Sequence, residues 1–125
     1  MNKNPPLDNR NSEALEVEHL SKEVLCCISY SVIQSEHAVK YLTVLCRHFS
    51  RKVKTEWSDF QGTVYFNVGI TLMKVDSQAT ELHFECKAPS EDALEQQKAI
   101  INHHLALFAR REYIALTWSA VESIS

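Results

Sequence analysis

Polar and apolar residues alternate with period two over Val24–Ile33 (VLCCISYSVI). Cys26, Ile28, Tyr30 and Val32 interleave there with Cys27, Ser29 and Ser31. The alternation predicts a strand with one face buried. It also sends the adjacent Cys26 and Cys27 to opposite faces. The period then lengthens. Ser35 is a candidate N-cap for a helix over Glu36–Ser50, with a stripe of Ala38, Tyr41, Leu42, Leu45 and Phe49 at helical spacing. Short extended runs follow at Lys54–Ser58, Thr63–Val68 and Ile70–Val75. In the second, Val64, Phe66 and Val68 point inward and Tyr65 and Asn67 outward. Asp76–Thr80 (DSQAT) reads as a turn. Glu81–Lys87 alternates again, with Leu82, Phe84 and Cys86 inward. The sequence Pro89-Ser90-Glu91-Asp92 starts a second helix, capped by Ser90 and reaching about Ala109 or Arg111. Its core stripe is Leu94, Ile101, Leu105 and Phe108, flanked by Ile100 and Leu107. Leu116–Val121 is either a last strand or an extended tail that packs Trp118.

The element order is β-α-β-β-β-β-α. Strands joined by such short gaps are antiparallel. Two helices with one apolar stripe each cover one face of the sheet, which gives an α+β, two-layer fold. The uncovered face carries Tyr65, Glu81, His83 and Glu85. It is either solvent-facing surface or a dimer or ligand face.

Composition narrows the function classes. The 125 residues carry 13 Lys and Arg against 16 Asp and Glu, for a net charge of −3. A chain without a basic surface lacks the counterion-release term that drives general nucleic-acid binding. No apolar run approaches the ~20 residues of a membrane span. Residues 1–23 have the Pro and Asn content of a flexible lead-in and no secretory or transit pattern, so a cytoplasmic location is expected for the single α+β domain at 24–125. The four cysteines form no CxxC pair and no zinc-finger spacing, and read as small hydrophobes in a reducing compartment.

Three groups of polar residues stand out against this frame. His104 falls inside the apolar arc of the second helix, either as a satisfied boundary histidine or as a ligand or acid–base group. His48 and Lys52, four residues apart, share one side of the first helix and its extension. Dipole complementation at a helix C-terminus accounts for Arg47 and Arg51. It accounts less well for a histidine beside the apolar stripe, and an anion site is the sharper reading. Arg110, Arg111 and Glu112 either cap the second helix or reach the first, and Trp118 is a core residue or a ligand contact. His103 and His104 point about 100° apart on a helix and cannot chelate together. A His48–His104 pair across two packed helices, joined by Glu112, would give two histidines and a carboxylate, a pattern for iron or zinc. No phosphate-binding glycine loop, zincin motif or nucleophile elbow occurs.

The runs Leu45–Val53 (LCRHFSRKV) and His104–Glu112 (HLALFARRE), followed by Trp118, resemble a bacterial domain-of-unknown-function family numbered 2218. The resemblance covers Val24–Trp118. It implies a small α+β fold similar to the TATA-binding-protein-like arrangement, and no activity. Members lying near or fused to siderophore-interacting proteins imply a link to iron-siderophore uptake. The chain departs from the family where a second histidine is common at Arg51 and an arginine at Leu107.

The expectation is therefore a small cytoplasmic binding or accessory protein, monomeric or homodimeric. Its pocket at the helix ends would bring together His48, Lys52, His104, Arg111 and Glu112 near Trp118. Its partner would be a small anionic ligand or a siderophore-related protein, with neither nucleic acid nor membrane. Two alternatives remain: a metal-assisted or histidine acid–base enzyme, and a structural module in which the same residues lock the helix ends while the open sheet face makes protein contacts.

Overall fold

The computed structural model describes residues 25–108 and 116–123. The expected lead-in, Arg110, Arg111 and Glu112 lie outside the described residues. Strand β1 spans Cys27–Gln34 and helix α1 Ala38–Phe49. Strands β2 (Lys54–Trp57), β3 (Gln61–Phe66), β4 (Gly69–Val75) and β5 (Glu81–Ala88) follow. Helix α2 spans Glu91–Phe108, and a short β6 (Glu122–Ser123) ends the described chain. The sheet order is β2-β3-β4-β5-β1-β6, with every pairing antiparallel. This is the expected α+β element order plus a terminal strand.

The inward alternation of β3 and β5 is as expected, with Val64, Phe66, Leu82, Phe84 and Cys86 buried. Both helices pack on that face, and the α1 stripe Ala38, Tyr41, Leu42, Leu45 and Phe49 is buried against it. At this density each buried Leu or Phe contributes roughly 1.5–3 kcal/mol. Ser90 caps α2 as expected, its Oγ accepting the Ala93 N–H at 3.1 Å. Between β4 and β5, the Asp76 carboxylate accepts the amides of Thr80 and Glu81 at 2.8 Å each. Partial desolvation pulls this carboxyl upward, but those amides outweigh it and hold it below the usual range.

Two expectations are corrected, and the faces of β1 are the reverse of those its hydrophobicity indicates. Ser29, Ser31 and Ile33 face the helices, while Tyr30 and Val32 are exposed. Register decides this. Ser29, Ser31 and Ile33 lie opposite Cys86, Phe84 and Leu82, the buried set of β5. The two serine hydroxyls are not stranded there, because they donate to the Ser119 and Thr117 carbonyls of the returning chain at 2.8 and 2.9 Å. Helix α1 starts two residues later than expected. Ser35 Oγ accepts the His37 N–H in a local turn ahead of it, and Glu36 stays outside the helix. In α2, Leu107 is exposed, whereas Gln97 and Lys98 are buried.

Candidate functional site

Helix α1 carries Arg47 and His48 in its last turn. Beyond it the chain folds back, and the amides of Lys52 and Val53 both donate to the Phe49 carbonyl at 3.0 Å. That fold-back puts Lys52 beside His48, as the i, i+4 spacing indicates. Helix α2 crosses alongside and presents Ile100, His104 and Phe108 on one side. The β3–β4 hairpin adds Asn67 and Val68 at its tip.

These elements enclose a cleft of about 290 Å3 lined by His48, Phe49, Lys52, Val53, Phe66, Asn67, Val68, Ile100 and His104. The imidazoles of His48 and His104 face each other across the helix–helix seam, with ring centroids 4.7 Å apart. His48 also meets the edge of Phe108 at 5.4 Å, and His104 that of Phe49 at 4.9 Å. The walls are apolar and the mouth is basic.

His104 Nδ1 lies 2.8 Å from the Ile100 carbonyl. A carbonyl only accepts, so Nδ1 carries the proton in this bond and the neutral ring keeps its lone pair on Nε2. Histidine ligands in general are oriented in this way. The His48 pKa is lowered, first by desolvation and then by His104, Arg51 and Lys52. Desolvation is thus the main reason that another proton is disfavoured, and the positive charges of Arg51 and Lys52 add to it.

The cleft brings together three of the six expected site residues: His48, Lys52 and His104. Arg111 and Glu112 lie outside the described residues. Trp118 does not converge with the others. It is held on the β1 side of α2, where its Nε1 donates to Asn102 Oδ1 at 3.3 Å and its ring meets Phe84 at 6.1 Å. Among the described residues, no three His, Cys, Asp or Glu side chains form a metal-ligating group, and no helix is long and apolar enough to cross a membrane. The hairpin residues Asn67 and Val68 escape a sequence reading because only the β3–β4 pairing of Phe66 with Gly69 places them over the helix ends.

A larger groove of about 460 Å3 lies on the uncovered sheet face, between Tyr30, Leu72, Lys74, His83 and Glu85. Within strand β5, His83 bonds Glu81 at 3.0 Å and Lys87 pairs with Glu85 at 3.3 Å. The smaller cleft, with an apolar interior and convergent nitrogen groups, is the better ligand site.

The sequence profile of a family described as "uncharacterized protein conserved in bacteria" (DUF2218) matches residues 30–119. No curated protein matches the chain. The NMR structure of PA4090 from Pseudomonas aeruginosa is similar, with a TM-score of 0.64 and 24% identity over 77% of this chain and 98% of that one. At that identity the likeness carries the fold alone. The profile match spans most of the chain, and the chain belongs to this bacterial family.

Proposed function

We propose that this member of the family is a small binding protein whose ligand is a compact anion with an apolar body. The observation that carries the reading is the pairing of His48 and His104 at 4.7 Å on the wall of an apolar cleft that also holds Lys52. The apolar part of the ligand packs against Phe49, Phe66 and Ile100. Its carboxylate or phenolate meets Lys52, where a charge-assisted hydrogen bond is roughly twice as strong as a neutral one, and accepts from an imidazole once that ring takes up a proton. The link to iron-siderophore uptake implied by the family resemblance makes carboxylate and catecholate fragments the first compounds to try, and a cytoplasmic setting suits such a role. Iron or zinc held by the two histidines would need a third ligand, for which Glu112 is the sequence candidate.

The test is a two-dimensional NMR titration of the 15N-labelled chain with small aromatic carboxylates, catecholates and zinc ion. Shifts confined to His48, Lys52, Asn67 and His104, and lost in folded His48→Ala and His104→Ala variants, are expected. Shifts elsewhere, or none at millimolar concentration, overturn the reading.

A further inference from the structure

The thiols of Cys26 and Cys27 lie 3.8 Å apart, sulfur to sulfur. Neighbours within a strand point to opposite faces, and the alternation over Val24–Ile33 places these two apart. The structure corrects that expectation. Strand β1 begins only at Cys27, so Cys26 precedes the pleat and both sulfurs turn to one side. Cys26 Sγ also donates to the Pro89 carbonyl at 3.1 Å, which anchors the pair beside the start of α2. Both residues are half-buried, whereas Cys46 and Cys86 are buried. Burial pushes the Cys46 thiol up to about 12 and the Cys86 thiol up to about 11. The two adjacent cysteines are the solvent-accessible sulfurs of the described chain.

We propose that Cys26 and Cys27 form a dithiol site for a soft, thiophilic ion, independent of the anion cleft. A disulfide is the competing fate of two close thiols, and geometry disfavours it here. Adjacent Cα atoms are about 3.8 Å apart, below the usual ~4.4–6.8 Å of a disulfide, and the sulfurs would have to close to about 2.05 Å. An ion inserted between them requires no such contraction. Two metal–sulfur bonds of about 2.3 Å meeting near the tetrahedral angle span about 3.8 Å between sulfurs. That is the separation found. Burial, Cys26 and the Glu91 charge hold the Cys27 thiol above its usual value. An ion that takes this place displaces the thiol protons, so the pair suits ions that bind sulfur strongly enough to do so. These are d10 cations and trivalent metalloids.

Phenylarsine oxide and cadmium ion probe the two classes. With the arsenical, two As–S bonds form and the As–O bond breaks. Both thiol protons leave with the oxygen as one water, and arsenic remains trivalent. Intact-mass analysis of the reduced full chain is expected to show one phenylarsenic per chain, displaced by a dithiol and not by glutathione. Peptide mapping is expected to show Cys26 and Cys27 both protected from alkylation. Cys26→Ser and Cys27→Ser, each checked for folding by circular dichroism, lose the adduct; Cys26 precedes the strand, so its variant keeps the test valid if the other fails to fold. An ultraviolet thiolate–cadmium band that both variants lose extends the site to d10 cations, and its absence beside a retained arsenical restricts it to metalloids. Failure of both probes to bind the folded wild type, or retention of either by a single-cysteine variant, overturns the proposal.

Discussion

His104 commits one nitrogen to its own helix and leaves the other to the cleft, and His48 faces it under the field of three basic neighbours. The histidine signals were legible because helical spacing alone sets which side of α1 and α2 each ring occupies. The contact between the two rings was not, since it depends on how the helices cross. The lowered pKa of His48 makes a prediction with a definite sign. The unfolded chain titrates near 6.5, above the folded value. Above that pH both states are neutral and His48 adds no pH dependence. As pH falls below it, the unfolded state takes the proton first, and stability drops until the folded ring titrates too. Urea midpoints measured from about pH 7.5 to about pH 5 should therefore fall less in His48→Gln than in the wild type, the other histidines being common to both. An equal fall would show that His48 is not held neutral. An anion in the cleft works in the opposite direction, because it raises the His48 pKa. Binding should then tighten as the pH drops through the same range.

Where β4, β5 and α2 meet, one glycine decides how closely the layers approach. Gln97 is fully buried, and its amide nitrogen donates to the Ile70 carbonyl at 2.8 Å and to Thr71 Oγ1 at 2.6 Å. This stitches the helix to the first turn of β4. The seam closes only because Gly69 has no side chain; a Cβ there would run into the Lys87 carbonyl and Gln97 Oε1. The Lys87 carbonyl belongs to the β4–β5 ladder and cannot swing away. Gly69→Ala should thus sit at the upper end of overpacking costs, about 3 kcal/mol, read as a lowered urea midpoint with an unchanged slope. A loss below about 0.5 kcal/mol would mean that the seam relaxes freely. Gly69 reads in sequence as punctuation, and it stands as the first residue of β4. Its second role depends on a glutamine, and Gln97 carries no signal of burial because its amide nitrogen finds its acceptors only on a strand 26 residues earlier. The reversed faces of β1 have the same origin. Ser29 and Ser31 look like solvent positions until the returning chain supplies carbonyls for their hydroxyls. Local period and capping residues thus define elements, while long-range partners decide which polar residues can be buried.

Across the whole molecule, the returning chain is also what separates the roles of the aromatic residues. Residues 116–121 carry no regular structure, yet the Ser119 N–H donates to the Tyr30 carbonyl at 2.8 Å and the serine bonds complete the edge. Trp118 fastens this edge to α2, with Phe84 beneath it and the Lys98 ammonium 5.9 Å from its ring centroid. The cleft of His48 and His104 opens elsewhere and does not include the indole among its walls. Trp118→Ala therefore separates two readings that the sequence left joined. As an edge fastener, the half-buried indole should cost about 2 kcal/mol of stability when removed, less than the ~3–5 kcal/mol of a fully buried aromatic. Ligand-induced shifts at His48 and His104 should persist. As a ligand contact, its removal should weaken those shifts at little cost in stability. Trp57 is the one remaining tryptophan in the variant and lies on an exposed strand, so its fluorescence follows unfolding with a red-shifted baseline. A stable variant with a silent cleft would return Trp118 to the site.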